Sequence, residues 1–316
     1  MMVISPEQEI MIDQANELRQ LIRQQTEQLT RAASTRPRII AVTGGKGGVG
    51  TTTVATHLAI AMSRQSDRVL LVDADPDRAD VATLCGLATD YDLADLVEAR
   101  RTLDEVIAPG PNGILVLTGA GRAAATEPST DRFHQRWIRA AREAEEPFDC
   151  VVVDTGNRSA RSVKMLWEAS DLVLLVTTIE LPSIIDTYAS IKTLAKRTSP
   201  PAIHTLINRV TETAVAYDAH GRLARAVWRF LGFHLDSAGH VMVGQDLSAN
   251  LADQDLASSE SLWAREFNQL ARTMRIALRG AEGRDRCIFA ERSTACFAQN
   301  LPVPLLPPEA NPGTAV

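Results

Sequence analysis

Five short apolar runs, separated by stretches long enough for helices, constrain the fold of this chain more than any other feature. Strands buried on both faces have this near-continuous apolar character, whereas half-buried strands alternate apolar and polar residues. We therefore predict a doubly wound α/β fold, in which helices flank a mostly parallel sheet and ligands bind at the carboxyl ends of the strands. The predicted strands are Ile39–Val42, Arg68–Val72, Cys150–Val153, Leu172–Val176 and Ile203–Ile207.

A glycine-rich segment lies between the first predicted strand and a helix predicted over Thr52–Met62. It consists of Gly44, Gly45, Lys46, Gly47, Gly48, Val49, Gly50, Thr51, Thr52 and Thr53. Glycines let successive backbone N–H groups curl towards phosphate oxygens, and the helix adds the positive end of its dipole. Thr52 stands where a phosphate loop presents a hydroxyl ligand for Mg²⁺. A glycine cluster alone is more often only a turn, but the strand before it and the helix after it favour phosphate binding.

Acidic residues end two of the predicted strands. Asp73 and Asp75 follow one strand, and Asp154 follows another. An aspartate at a strand end is ordinary turn chemistry, but acids at two strand ends downstream of a glycine-rich loop favour a shared site. Carboxylates there can hold Mg²⁺ directly or through water and can orient an attacking water molecule.

Composition narrows the setting of the protein. The net charge of −6 argues against non-specific binding to nucleic acid, and we expect no sequence-specific nucleic-acid partner. The four cysteines show no CxxC spacing, which favours a reducing compartment. Since no apolar run is long enough to cross a bilayer, we expect a cytoplasmic protein. Of the 33 basic residues only four are lysines, so Lys46 within the glycine-rich segment stands out.

The pattern KGGVGxTT, with Lys46 two residues after Gly44, resembles the deviant Walker A loop of the MinD/ParA class of ATPases. In that class the early lysine reaches the phosphates of the partner subunit in an ATP-dependent homodimer, and the resemblance implies this role for Lys46. It also implies that residues 45–53 bind ATP, and that Asp75 positions the attacking water. It further implies that Thr52, Asp73 and Asp154 form the Mg²⁺ environment. It also implies that Asn208 contacts the adenine base.

The alternative for Asn208 is a solvated asparagine at a strand end. The segment Asp13–Arg19 matches the DQAxxLR element of the FlhG (YlxH) regulators of flagellar number and placement. In that family the element engages the signal-recognition-type GTPase FlhF. The alternative for this segment is an amphipathic helix that packs on its own domain. Further matches to that family occur in order at Asp73–Leu87, Tyr91–Gly113, Asp186–Lys192 and Phe230–Gly232.

The FlhG resemblance implies a dimer that recruits or stimulates an FlhF-like GTPase and flagellar basal-body components. The sequence departs from the family at Thr51, where a P-loop lysine is expected. The loss of that charge predicts weaker nucleotide binding, by about 1.5–3 kcal/mol, and slow hydrolysis. Lys46 of a partner subunit, Arg78 or Arg158 would be the substitutes. A clear membrane-targeting helix after the core is also missing from the sequence, so association with the inner face of the membrane is left open.

These observations divide the chain into an N-terminal activator-like helix and linker (1–36), a nucleotide-binding domain (37–279) and a disordered tail (280–316). The second hypothesis is a nucleotide-binding pseudo-ATPase that acts as a scaffold for another polar machine. Such a scaffold would serve a TadZ/CpaE-like pilus or a ParA-like cargo. A cobyrinate amidase-type ligase on the same fold is the weakest candidate, because it needs an efficient phosphate loop.

Overall fold

The computed structural model describes residues 36–65, 67–75, 78–119, 130–156, 161–196, 201–243 and 262–282. The predicted helix that contains Asp13–Arg19 and nearly all of the predicted C-terminal tail lie outside these residues. The last helix runs to Glu282, and so extends past the domain boundary at 279 that the sequence suggested.

The described strands form one eight-stranded sheet of order β3-β4-β2-β5-β1-β6-β7-β8. Every neighbouring pair is parallel except β3 and β4, which are antiparallel. The strands are β1 Arg38–Gly44, β2 Val69–Asp73, β3 Ile107–Pro109, β4 Leu115–Leu117, β5 Cys150–Asp154, β6 Leu172–Thr177, β7 Ala202–Val210 and β8 Asp236–Met242.

Helices connect these strands and cover both faces of the sheet. They are α1 Thr51–Ser63, α2 Asp80–Cys85, α3 Leu93–Val97, α4 Leu103–Val106, α5 Thr130–Arg142, α6 Arg161–Ala169, α7 Leu181–Ala195, α8 Thr213–Leu231 and α9 Leu262–Glu282. None of the described helices is both long and apolar enough to span a membrane.

Strand β1 shows how the layers arise, because successive side chains of a strand point to opposite faces. Ile40 and Val42 are buried in the cluster that α1 and α9 cover. Ile39 packs on the other face, in the cluster that contains Trp137 of α5. Ala41 lies on that same face in a neighbouring cluster, which α6, α7 and α8 cover. The sheet is therefore buried on both faces.

The predicted doubly wound, mostly parallel sheet is confirmed. All five predicted strands are present, extended by one to three residues at their carboxyl ends, and β2 begins at Val69 rather than at Arg68. Strands β3, β4 and β8 were not predicted. The first two are three residues long, and β8 has only two buried residues along its length at the edge of the sheet.

Candidate functional site

Hydrogen bonds join β1 and β5 at their carboxyl ends, on the edge of the sheet that the carboxyl ends of its parallel strands form. The backbone N–H of Gly44 donates to the carbonyl of Gly156 at 3.0 Å, and the Thr43 hydroxyl group donates to the same oxygen at 3.2 Å. In return the Thr155 hydroxyl group donates to the carbonyl of Val42 at 3.1 Å. These bonds fix the point at which the chain leaves β1 and enters the segment Gly44–Gly50, which we call the glycine-rich loop.

The glycine-rich loop passes very close to α7 at Gly45. A Cβ atom on Gly45 would lie 2.5 Å from the backbone nitrogen of Thr187 and 2.6 Å from the carbonyl carbon of Asp186. Only a glycine fits this contact, since the atoms that a side chain would meet belong to the helix backbone. Lys46, Gly47 and Gly48, the next three residues, are exposed to solvent, so their backbone is open to a ligand.

The first three residues of α1 are threonines that differ in their surroundings. Thr51 is buried, and its hydroxyl oxygen would lie 2.7 Å from a Cβ atom on Gly44. Thr52 is half-buried, and its hydroxyl group lies near enough to the Asp154 carboxylate to lower the pKa of that acid. The Thr53 carbonyl accepts a hydrogen bond of 2.8 Å from Nδ1 of His57, one turn along the helix. Thr52 is thus the threonine that faces the acidic residues.

Asp73 and Asp154 lie side by side at the edge of the sheet, because β2 and β5 pair in a register that places their Cα atoms opposite each other. Both carboxylates are buried, each with 1% of the residue exposed. The oxygens of Asp73 accept hydrogen bonds from the backbone N–H groups of Asp75 and Val81, each at 3.2 Å. The sheet thus brings together two acidic residues that are 81 positions apart in the sequence.

Asp75 leaves the strand and packs against the loop after β5. Gly156 has a φ of +64°, and a Cβ atom there would lie 2.4 Å from Oδ2 of Asp75. The missing side chain of Gly156 therefore creates the space that the Asp75 carboxylate occupies. Gly119 has a similar relation to Asp73, since its Cβ would lie 2.9 Å from the Asp73 carboxyl carbon.

Burial and neighbouring negative charges raise the pKa of both buried acids. For Asp73 burial is the larger cause, the Asp154 charge adds to it, and the pKa lies well above its usual range. Burial raises the pKa of Asp154 to about 6, and the charges of Asp75 and Asp80 raise it further, whereas the nearby Thr52 hydroxyl group and the hydrogen bond from the Gly156 N–H lower it. The site therefore concentrates negative charge where water cannot screen it.

The arrangement fits a divalent cation bound together with a phosphorylated ligand. Oδ2 of Asp154 is buried and has no hydrogen-bond partner among the described residues. A cation would supply that oxygen with a partner and would relieve the repulsion between the two acids. Mg²⁺ is commonly held by one or two carboxylates together with phosphate oxygens and water. Asp73, Asp154 and the Thr52 hydroxyl group offer such a partial set.

Asn208 lies at the end of β7 on the other side of the glycine-rich loop. Its side chain is buried and donates to the carbonyl of Val49 at 2.8 Å. The sequence suggested either an adenine contact or a solvated side chain. The solvated alternative is wrong, because 2% of Asn208 is exposed. The adenine contact stays a prediction.

The predicted site residues otherwise converge from four strands. The edge formed by the carboxyl ends of the strands carries the glycine-rich loop, Thr52, Asp73, Asp75, Asp154 and Asn208. Arg78 is exposed and its guanidinium lies 4.0 Å from the carboxylate of Asp80. Arg158 lies outside the described residues.

Sequence reasoning missed three residues that shape the site. Gly119 and Gly156 make room for the acidic side chains, and the buried Cys85 is near enough to Asp73 for the charge of that acid to affect its thiol. Burial, with a contribution from the Asp73 charge, raises the pKa of the Cys85 thiol to about 12, so it stays protonated. Glycines directly after apolar strand sequences were a usable signal for Gly119 and Gly156. Nothing in the local sequence marks Cys85.

Comparison with known proteins adds a family to this geometry. Residues 40–237 match the family described as the CobQ/CobB/MinD/ParA nucleotide binding domain. The chain is 35% identical to the antiactivator FleN of Pseudomonas aeruginosa over 202 residues, which is 64% of this chain and 72% of FleN. It is 29% identical to the flagellum site-determining protein YlxH of Helicobacter pylori over 50% of this chain. The match spans only 54% of the length of YlxH.

The fold is also found among solved structures. A ParA family ATPase from Chlorobium tepidum aligns with a TM-score of 0.63 at 20% identity, over 76% of this chain and 99% of that one. MinD from Pyrococcus horikoshii, solved as a complex with Mg-ADP, aligns with a TM-score of 0.60 at 19% identity, over 75% of this chain and 96% of that one.

The expected resemblance to MinD/ParA proteins and to the FlhG (YlxH) regulators is therefore confirmed. The family match covers more than half of the chain and includes the glycine-rich loop, all three acidic residues and Asn208. The chain belongs to the CobQ/CobB/MinD/ParA family of nucleotide-binding proteins.

Proposed function

We propose that the chain is an ATP-binding regulator of flagellar number or placement, which works as an ATP-dependent homodimer with weak hydrolysis. The observation that carries the nucleotide part is the convergence at one sheet edge of the glycine-rich loop, the Thr52 hydroxyl and the buried pair Asp73 and Asp154. An open loop of backbone N–H groups suits the phosphates, and the acids and hydroxyl suit Mg²⁺.

Each residue has a definite role in this proposal. The backbone of residues 45–53 binds the ATP phosphates, and Thr52, Asp73 and Asp154 bind Mg²⁺, which neutralises phosphate charge when present. Asp75, whose carboxylate lies beside Gly156, orients the attacking water in this proposal. Lys46, exposed on the loop, reaches the phosphates bound by the partner subunit. The Mg-ADP complex of the Pyrococcus horikoshii MinD supports the choice of nucleotide and metal.

The flagellar part of the proposal is supported by FleN and YlxH. YlxH is described as a protein that determines the flagellum site, and FleN as an antiactivator. In this proposal the dimer recruits or stimulates an FlhF-like GTPase through Asp13–Arg19, which lies outside the described residues, and contacts flagellar basal-body components. The protein works in the cytoplasm, with or without contact to the inner face of the membrane.

The partner proposal has its own test. The 316-residue chain is added to a purified FlhF-like GTPase from the same organism, and GTP turnover is measured with and without ATP. We expect stimulation by the wild type and loss of stimulation in Arg19→Ala. Equal stimulation by wild type and Arg19→Ala would show that the segment Asp13–Arg19 is not the contact.

The dimer is tested by light scattering after size-exclusion chromatography. The wild type is measured with Mg·ATP and with Mg·ADP, and Lys46→Ala is measured with Mg·ATP. Lys192→Ala is the matched control, because Lys192 is an exposed lysine on α7. We expect the dimer mass only with ATP, and only in the wild type and the control. A mass that never responds to nucleotide would contradict the switch.

The second candidate is a pseudo-ATPase scaffold for another polar machine, such as a TadZ/CpaE-like pilus or a ParA-like cargo. The observation that favours it is Thr51, a buried neutral side chain where a P-loop carries lysine. Turnover separates the two candidates. Release of phosphate from ATP in the presence of the FlhF-like GTPase, with no GTP added, supports the regulator. Binding of ATP without any hydrolysis supports the scaffold.

A further inference from the structure

A groove runs between α5 and α6 at the surface of the protein, away from the glycine-rich loop, and we call it the α5–α6 groove. Its volume is about 540 Å³. Apolar side chains of both helices line it, Ile138 from α5 and Met165 from α6. Its charged lining consists of Arg139, Arg142 and Glu143 on α5 and of Glu168 on α6. The groove therefore has an apolar surface between a wall that is positive on balance and a wall that is negative.

The chain enters the described structure beside this groove, at Arg36. The guanidinium of Arg36 lies 2.7 Å from the carboxylate of Asp171, two residues after the end of α6. The same carboxylate accepts a hydrogen bond of 2.9 Å from the N–H of Ile39, and so holds the start of β1. Burial, together with the charge of Arg36, lowers the pKa of Arg142, which places Arg36 near the groove. Residues 1–35, which lie outside the described residues, are therefore joined to the domain at one end of the groove.

The sequence of residues 9–23 complements the groove. In the helix predicted there, one face is apolar, with Ile10, Ala15, Leu18 and Ile22. Acidic residues flank this face on one side and arginines on the other, namely Glu9, Asp13 and Glu17, and Arg19 and Arg23. An amphipathic helix that binds in a groove has this pattern. The acidic side matches the arginines of α5, and the arginine side matches Glu168 of α6.

We propose that residues 9–23 of the chain dock in its own α5–α6 groove. Their apolar face covers Ile138 and Met165, and the two charged sides meet the two walls of the groove. Because the attachment at Arg36 keeps the segment close to the groove, docking is intramolecular and independent of protein concentration. Docking covers part of the segment Asp13–Arg19 and so competes with the partner GTPase. This last consequence rests on the proposed function.

The first test is hydrogen–deuterium exchange of the 316-residue chain without nucleotide, so its result is independent of the proposed function. We expect the amides of residues 9–23 to exchange more slowly in the chain than in a synthetic peptide of residues 1–35. Met165→Gln, which places a polar group against the apolar face, should speed this exchange about tenfold. Ile276→Gln is the matched control, because Ile276 is an exposed apolar residue on α9, and it should change nothing.

Three outcomes of this test would overturn the proposal. In the first, residues 9–23 exchange as fast in the wild-type chain as in the peptide. In the second, the wild type is protected but Met165→Gln leaves that protection unchanged, which excludes the groove as the docking site. In the third, exchange slows as the protein concentration rises, which assigns the segment to the groove of a second copy.

The charge match is tested by reversal and rescue. Glu168→Arg should speed the exchange of residues 9–23 about fivefold, because it repels the arginine side of the segment. Asp218→Arg, which also reverses an exposed acid on a helix, is the control and should have no effect. Adding Arg19→Glu and Arg23→Glu to Glu168→Arg should restore slow exchange, which a merely structural effect of Glu168→Arg would not allow. A combined variant that folds but stays as fast as Glu168→Arg would overturn the proposal.

The competition is tested with the purified FlhF-like GTPase. Met165→Gln should reach half-maximal stimulation of GTP turnover at about tenfold lower concentration than the wild type, because a docked segment is not available to the partner. Equal concentrations for the two proteins, when exchange shows that the variant has lost its protection, would overturn the competition. If neither protein stimulates the GTPase, the proposed function fails and the exchange result still stands.

Discussion

Asp73 and Asp154 face each other directly across the β2–β5 ladder, so the sheet holds two buried carboxylates at adjacent positions. A sheet made only for stability would not pair two buried acids, because each raises the free energy of the other in its charged form. In the proposed function a cation lies beside the pair and offsets this repulsion. We therefore expect the ligand-free wild type to be less stable than a ligand-free variant that lacks one of the two acids.

The first prediction concerns Asp154→Asn. We expect this change to raise the melting temperature of the ligand-free protein by a few degrees, since about 1 kcal/mol of repulsion is lost. The further rise that Mg·ATP gives the wild type should disappear. Asp104→Asn on α4, which replaces an exposed acid, is the control and should leave both values unchanged. Thermal unfolding with and without Mg·ATP measures them, and a Mg²⁺-dependent rise that persists in Asp154→Asn would contradict the assignment.

The second prediction concerns Thr51→Lys, which restores the lysine of a standard phosphate loop. A charged contact to phosphate should tighten ATP binding by about 1.5–3 kcal/mol and raise the hydrolysis rate about a hundredfold. Thr51→Met, which is long but neutral, should give neither gain. Isothermal titration and a phosphate-release assay measure the two effects. If Thr51→Lys and Thr51→Met have the same ATP affinity and hydrolysis rate, the missing charge at position 51 does not limit either quantity.

The third prediction concerns the contact between Gly45 and α7. Gly45→Ala should lower the free energy of unfolding by about 1–3 kcal/mol, because the new methyl group meets helix backbone at 2.5 Å. Gly280→Ala is the matched control, since nothing lies within 4 Å of its Cβ position near the end of α9. There the change should stabilise the protein by about 0.5–1 kcal/mol. Urea denaturation distinguishes the two, and equal effects would refute the close contact.

The fourth prediction is a pH dependence that arises at His57, which is buried and stacks on Phe267 at a centroid distance of 4.9 Å. Nδ1 donates to the carbonyl of Thr53, and Nε2 has no partner among the described residues. Burial is the main cause that lowers the pKa of His57 from 6.5 to about 4. The unfolded chain therefore binds a proton at a higher pH than the folded chain does.

The stability that a neutral His57 contributes is fully present above pH 6.5 and is lost as the pH falls towards 4. The loss amounts to roughly 3 kcal/mol over that range. Asp154 acts in the opposite direction, because its raised pKa favours the folded state as the pH falls. The measurement is therefore the difference between wild type and His57→Leu in urea denaturation at pH 7 and pH 5. A difference that does not change with pH would contradict the assignment to His57.

Much of the fold and site could be predicted because local sequence determined it. The apolar runs marked the strands in the centre of the sheet, and the glycine-rich loop and strand-end acids marked residues that the fold brings together at the carboxyl ends of those strands. Strand β8 could not be predicted, since Asp236–Met242 has no apolar run and pairs on one side only. The partner of Asn208 was equally out of reach, because Val49 lies far away in sequence and the contact depends on a local irregularity in β7.

The contact at Gly45 also determines the direction in which the glycine-rich loop is free to move. Its backbone already touches that of α7 with no side chain between them, so a shift towards the helix is blocked by two rigid main chains. A shift the other way leads towards Asp73 and Asp154, on the strands that lie on the opposite side of β1 from β6. The loop therefore cannot shift towards α7 at Gly45 unless the helix itself moves.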